Sequence, residues 1–355
     1  MNRFDKLFAE LPEDIDSVLI TSDVNRRYFT GMKSSAGTIL AFRDAAYLII
    51  DFRYIEKAKS TVKTAYVIEQ KNLIVQLTEL LHKHGARNIA IEAKEMTVST
   101  LNSYKKELLE FEINDTDMLS NEISALRAVK DEDELECIRK AQEIAEKAFE
   151  SILSFIKEGV TEREIALELD RQMLLNGAEA ISFDTIALAG ANTSMPHGVP
   201  SDKRVCRGEF VLMDFGAVYN GYHSDMTRTV CVGEPDDEMK KVYNTVLEAQ
   251  LACLEKAHGG MTGSELDKIA RSIIEDAGYG ENFGHSLGHG VGLEIHESPN
   301  ASPNNRNVLR NGAVVTVEPG IYLEGKFGVR IEDFVILTEN GNVNLTKCAK
   351  NILSL

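Results

Sequence analysis

The chain contains no tryptophan, and its five cysteines, at 137, 206, 231, 253 and 348, form no Cys-x-x-Cys pair. An odd count without paired spacing excludes a disulfide framework and a thiolate zinc site. Long apolar runs are also missing. The longest, Ala45 to Ile50, is six residues, against the ~20 needed to cross a bilayer. The N-terminal stretch MNRFDKLFAELPEDIDS has neither an apolar core nor a small-residue cleavage site, so no secretory signal is expected. Basic residues are in deficit: 39 Lys+Arg face 56 Asp+Glu, a formal net charge of −17. Nucleic acid and anionic membranes both demand a basic footprint, so neither is an expected partner. The expectation is a soluble protein of a reducing, cytoplasmic compartment. At 355 residues, 43% of them hydrophobic, the chain can bury a core without disulfides or structural metal and suggests about two domains.

The first part alternates strand and helix signals. Residues 17–21 (SVLIT), 37–42 (GTILAF), 45–51 (AAYLIID) and 64–69 (TAYVIE) are short, apolar strands. Arg43-Asp44 between two of them fits a tight hairpin. Residues 72–84 and 97–109 have helical spacing, and 88–93 and 111–114 add two strands. This is a small α/β domain, placed at 1–125. Residues 120–133 are polar and mark the boundary to a second domain, 126–355. A long helix is expected from Glu134 to about Ile156, stopped by Gly159. The acidic run Asp131–Glu136 reads as its solvated start.

The second domain repeats itself weakly. GVTEREIALELDRQMLLNG (159–177) aligns with GMTGSELDKIARSIIEDAG (260–278) at an offset of 101 without a gap. Each opens on Thr-x-x-Glu, the pattern of a capping box. Two similar halves facing one cleft are expected.

Gly284-His285-Ser286-Leu287-Gly288 matches the nucleophile elbow of serine hydrolases. Its context fails. The following GHGVG is a poor helix, and the last histidine, His296, comes only ten residues after Ser286. His285 and His289 stand four apart as in zincins, but the Glu and the helix that HExxH needs are absent. A stronger pattern spans five places. FVLMDF ends near Asp214, and GYHSDMTRT returns the chain with Asp225. The Gly-rich loop carries His289, AVVTVEPG carries Glu318, and GVRIEDFVIL carries Glu332. Carboxylates set in Val/Ile/Phe strands need a cation or a donor. For any one alone, a turn cap or a local ion pair is the plainer reading.

Together, DFGAVYNGYHSDMTRT, GHSLGHGVGLEIHE, VEPGIY and GVRIED resemble the pita-bread metallopeptidases. The resemblance covers the whole chain. LITSDVNRRYFTG and DFRY are similar to the extra N-terminal domain of the aminopeptidase P and prolidase branch, short bacterial type. It implies an α+β protein: a creatinase-N, ribonuclease-H-like α/β domain, then a pita-bread domain with pseudo-twofold halves around a curved antiparallel sheet. It implies that Asp214, Asp225, His289, Glu318 and Glu332 hold two divalent ions, Asp225 and Glu332 bridging them. Such a mostly hard ligand set suits Mn²⁺ and tolerates Co²⁺ or Zn²⁺. By the same resemblance His197, His285 and His296 hold the substrate carbonyl, stabilise the tetrahedral intermediate and assist proton transfer, and Glu318 is general base as well as ligand. Arg330, two before Glu332, would share a strand face with it and orient the carboxylates; Thr227 would do likewise beside Asp225. His82, His84, His223 and His258 match no catalytic position.

The implied activity is removal of an N-terminal residue that precedes proline, by a metal-bridging hydroxide. Substrates would be proline-containing di-, tri- or oligopeptides. Aminopeptidase P is preferred narrowly over Xaa-Pro dipeptidase, which needs a cation for the free carboxylate. Arg53, Arg306 and Arg310 are the available donors, and nothing in the sequence places them. A non-catalytic binding protein of this fold is opposed by retention of all five ligands, and methionine aminopeptidase by the N-terminal domain. The branch also implies a homodimer.

Overall fold

The computed structural model describes residues 2–355. The chain divides into two compact units, Met1–Arg127 and Ala128–Leu355. No helix among the described residues is long and apolar enough to cross a membrane.

The first unit is built on a six-stranded sheet. From one edge to the other its strands are Tyr66–Glu69, Ala46–Ile50, Thr38–Phe42, Ser17–Ile20, Asn88–Ile91 and Glu112–Asn114. Thr38–Phe42 and Ala46–Ile50 form the expected hairpin, with Ala41 opposite Ala46. Leu19, Leu40, Ile49, Leu77, Leu81 and Ile91 meet in its core. The expected helices are Leu73–His84 and Val98–Glu107. Four further helices were not anticipated: Arg3–Glu10, Asp23–Thr30, Ile55–Thr61 and Met118–Ala128. The last crosses the stretch read as a polar boundary. Its polar residues mask two buried anchors four apart, Leu119 and Ile123, one helical turn.

The second unit shows the repeat in three dimensions. Helix Glu132–Ile152 precedes helix Glu162–Leu175, and helix Asp237–Lys256 precedes helix Gly263–Asp276. The two shorter helices have 14 residues each, capped by Thr161 with Glu164 and by Thr262 with Glu265. In each box the threonine hydroxyl accepts from the glutamate N–H at 3.2 Å, and the glutamate accepts from the threonine N–H. Thr262→Ala therefore should cost about 1 kcal/mol, read as a lower urea midpoint at unchanged m-value.

Each half fills its own core. Ile144, Phe149, Ile165, Leu169, Val211 and Met213 pack in one. Val242, Val246, Leu266, Ile274, Val315 and Val335 pack in the other. The long helix Glu132–Ile152 turns Leu135, Ile138, Ala141, Ala145, Ala148 and Ile152 inward, at spacings of three and four. Its start is not wholly solvated. Asp131 caps it, but Glu134 is buried and accepts a hydrogen bond from the Tyr222 hydroxyl at 2.8 Å.

Antiparallel ladders line the interior of the unit. Glu209–Phe215 lies between Ile186–Ala189 and Met226–Val232. Val314–Val317 lies between Gly288–Gly290 and Asp333–Thr338. These central strands carry the site.

Candidate metal centre

The acidic residues reach one place by different routes. Asp214 stands near the end of its strand, opposite Thr227. Asp225 sits just before the return strand Met226–Val232. The chain between them closes at Gly216, where a Cβ would come within 1.9 Å of the Ser224 carbonyl oxygen. Only glycine allows that approach. Glu318 directly follows strand Val314–Val317, and its N–H donates to the Leu287 carbonyl at 2.9 Å. Glu332 lies between strands Phe327–Arg330 and Asp333–Thr338, with its N–H on the Thr227 carbonyl at 3.1 Å.

His289 is the middle residue of strand Gly288–Gly290. A Cβ on Gly288 would meet the Thr316 carbonyl oxygen at 2.1 Å, so the glycine lets this strand seat against its neighbour. The Thr316 hydroxyl accepts from the His289 N–H and donates to Glu318, both at 3.0 Å. His289 Nδ1 donates to the Gly290 carbonyl at 3.1 Å. That bond leaves the Nε2 lone pair facing the carboxylates. Nε2 stands 3.4 Å from Glu318 and 3.5 Å from Asp225. Asp225, His289 and Glu332 each offer a ligand atom, all within 4.8 Å of one another.

Three buried oxygens in this cluster have no hydrogen-bond partner: Asp214 Oδ1, Asp225 Oδ1 and Glu332 Oε1. Burial, and then the neighbouring carboxylates, push Asp225 and Glu332 well above the ordinary carboxylate range. Burial also raises Glu318, to about 7. Burial lowers His289, which keeps it neutral and able to ligate. Unbonded buried oxygens, carboxyls that resist ionisation and an imidazole lone pair among them are a donor set that fits a cation. Hard oxygens with one nitrogen fit divalent ions of the Mn²⁺ type.

Arg330 joins this cluster, but not as the sequence suggested. Its strand ends at Arg330 itself, so it shares no strand face with Glu332. Its guanidinium instead donates to Asp214 at 2.7 Å, to the Thr227 hydroxyl at 2.9 Å and to the Tyr322 hydroxyl at 2.9 Å. Thr227 in turn donates to Glu332 at 2.8 Å. Arg330 is 3% exposed and Asp214 is half-buried, so Arg330→Met leaves the Asp214 carboxylate without its cation in a largely enclosed site. Breaking one side of such a pair costs about 3–5 kcal/mol, to be read as a shift in the denaturation midpoint of the metal-free protein.

The cavity over the carboxylates has a volume of about 520 Å³. His197, His285 and His296 all line it, with Asp214, Asp225, His289, Glu318 and Glu332. His197 and His296 are exposed, and the His296 ring lies 4.2 Å from that of His289. His285 is engaged at both nitrogens. Nδ1 donates to the Ser286 carbonyl at 2.8 Å, and Nε2 accepts from the Tyr322 hydroxyl at 2.9 Å. Burial lowers its pKa to about 4, so it is neutral at working pH. Tyr322 went unnoticed in the sequence, although GIYL directly follows Glu318-Pro319. Ser286 stands in irregular chain before a strand, which removes the nucleophile-elbow reading. Arg306 and Arg310 are not among the cavity's lining residues, and Arg53, in the first unit, is paired with Asp51 at 2.6 Å.

This fold and site define a class. The description "Metallopeptidase family M24" matches residues 136–339, and "Creatinase/Prolidase N-terminal domain" matches residues 2–129. The chain belongs to metallopeptidase family M24, with the creatinase-type N-terminal domain ahead of a pita-bread catalytic domain. It is 42% identical over 357 residues to the Xaa-Pro dipeptidase of Pyrococcus furiosus, covering 99% of each chain. The Xaa-Pro dipeptidase structure from Bacillus anthracis superposes with a TM-score of 0.95 at 41% identity, covering 99% of this chain and 98% of that one. The X-Pro aminopeptidase of Thermotoga maritima superposes with a TM-score of 0.91, also at 41% identity, covering 96% and 98%.

Proposed function

We propose that the protein is an Xaa-Pro dipeptidase that uses two divalent ions, Mn²⁺ first among them. The observation that carries the metal site is that Asp214, Asp225 and Glu332 each keep a buried oxygen without a hydrogen-bond partner, with Asp225 and Glu332 grouped beside His289. Asp214, Asp225, His289, Glu318 and Glu332 would hold the ions. The carboxylate charges would offset the repulsion between two dications. When bound, the pair would activate water and polarise the scissile carbonyl.

The chain's own groups complete the reaction. Glu318, in the cavity beside His289, takes a proton from the attacking water. The proline nitrogen carries no hydrogen in the peptide and must gain one to leave, and the Glu318 carboxyl returns it. His197 and His296, exposed in the cavity, hydrogen-bond the carbonyl oxygen as charge develops on it. Arg330 fixes Asp214, and the Arg330–Tyr322–His285 chain fixes one wall of the cavity.

The dipeptidase reading replaces the initial preference for aminopeptidase P because the Pyrococcus and Bacillus relatives carry that name. One observation favours the aminopeptidase instead. Arg330 is the sole Lys or Arg lining the cavity among the described residues, and it is already engaged by Asp214. A dipeptide's carboxylate would need a different cation. The deciding experiment is hydrolysis of Xaa-Pro against Xaa-Pro-Yaa by the Mn²⁺-loaded protein. Cleavage confined to the dipeptide is expected; preferred cleavage of the tripeptide would establish the aminopeptidase. A homodimer in solution is part of the same proposal, measurable by light scattering.

A further inference from the structure

Each of the two repeat-related helices carries one buried carboxylate outside the metal centre. Glu162 opens helix Glu162–Leu175 and is fully buried. Its Oε1 accepts from the Ala189 N–H at 2.8 Å and the Asn192 side-chain amide at 2.9 Å. Its Oε2 accepts from the Ser201 N–H at 3.0 Å and the Ser201 hydroxyl at 2.6 Å. Its own N–H donates to the Lys203 carbonyl at 3.0 Å. Residues 189 and 203 therefore hang on one side chain and its backbone. His197 lies between those anchors, five residues after Asn192 and four before Ser201.

The other half has a counterpart. Asp267, on helix Gly263–Asp276, is 1% exposed. It accepts from the Leu287 N–H at 3.0 Å and from Arg271 at 2.8 and 3.0 Å. Arg271 passes the contact on, donating to the carbonyls of Phe283 and His285 at 3.0 and 2.9 Å. The loop held this way carries His285 and leads into His289. The two acids do not occupy the same repeat position: at the offset of 101, Glu162 faces Gly263 and Asp267 faces Ala166. Each half meets the same need from a different place.

We infer that Glu162 and Asp267 are positioning residues of the active site, holding the His197 loop and the His285 loop respectively against the helices of the two halves. The inference rests on the peptidase reading above. A carboxylate suits the task because it only accepts and offers about four lone-pair positions. It can gather N–H and O–H groups from irregular chain that no ladder satisfies. A carboxamide cannot replace it. In Glu162→Gln one oxygen becomes an NH₂ group, set against donors on at least one side.

The test compares Glu162→Gln with Glu164→Ala, which breaks the exposed capping box on the same helical turn. Amide exchange across 189–203 should speed by about tenfold or more in Glu162→Gln and stay unchanged in Glu164→Ala, though both lower Tm. Well below either Tm, kcat on an Xaa-Pro dipeptide should fall about tenfold or more in Glu162→Gln, with bound metal unchanged and Glu164→Ala at the parent rate. In a His197→Ala background, Glu162→Gln should change kcat by less than about twofold, because the group it positions is gone. Ser201→Ala, which deletes one of the four donors, gives a graded version if Glu162→Gln does not fold. Asp267→Asn should speed exchange across 283–287 and leave 189–203 alone. Unchanged loop exchange in Glu162→Gln would overturn the inference, as would losses that simply multiply with His197→Ala. If the parent protein cleaves no Xaa-Pro bond yet the exchange rises as expected, the peptidase reading fails and the loop anchoring stands.

Discussion

Glu332→Gln is expected to abolish hydrolysis and, in the metal-free protein, to raise stability. The two effects have opposite signs because one carboxylate serves two states. Glu332 is 1% exposed, and its Oε1 has no partner. With metal present, Gln would remove a negative charge from the residues that would hold it. Several kcal/mol of transition-state stabilisation go with it, about 10³-fold or more in kcat/KM. Without metal, burial and then the charges of Glu318 and Asp214 oppose ionisation of Glu332, and a neutral amide removes that conflict. The pH dependence follows. In the fold these carboxyls keep protons that the unfolded chain has released. Folding therefore takes up protons, and stability falls as pH rises. For Glu318 the window runs from the ordinary 4.5 to about 7. Burial of His285 and His289 contributes the opposite slope in the same range, so the carboxyls are read by difference: relative to Glu332→Gln, the chelated parent should lose stability as pH rises. Mn²⁺ should release protons on binding and restore stability at pH 8. A chelated parent that gains stability relative to Glu332→Gln between pH 4.5 and 7 would contradict the account.

His296→Ala is expected to lower kcat by about 10²–10³-fold, the effect of losing one donor to a developing oxyanion, while both metals stay bound. His296 is exposed, lines the cavity and lies against His289 without joining the carboxylate cluster. Its removal opens no core cavity, so stability should stay within about 0.5 kcal/mol of the parent. His285→Ala should behave differently. Both His285 nitrogens are bonded, one of them to Tyr322. Stability and kcat should fall together there, whereas His296→Ala separates them. Thermal melts beside steady-state kinetics distinguish the two patterns.

Much of this site was legible in the sequence because it sits in strands. Asp214 within FVLMDF and Glu318 after AVVTV stand out as acids against β-branched and aromatic neighbours. The repeat was legible because capping chemistry is local: Thr-x-x-Glu marks the start of each 14-residue helix. What stayed hidden depends on contacts across the fold. Glu134 belongs to an acidic run, and only the approach of Tyr222 buries it. Tyr322 connects Arg330 to His285 through space, with no spacing rule to announce it. Arg330 was singled out by strand alternation with Glu332, yet the strand stops at Arg330 and the guanidinium turns to Asp214. Helix Met118–Ala128 was missed because its buried face mixes Leu119 and Ile123 with Ser120 and Arg127, which makes a faint apolar stripe.

The most direct test is to strip the protein with a chelator, titrate Mn²⁺ back, and follow bound metal and Xaa-Pro hydrolysis together. The account predicts no hydrolysis in the stripped protein, recovery that follows metal occupancy, and a plateau at two ions per chain. Full activity in the stripped protein, or two bound ions with no cleavage of any Xaa-Pro peptide, would contradict it.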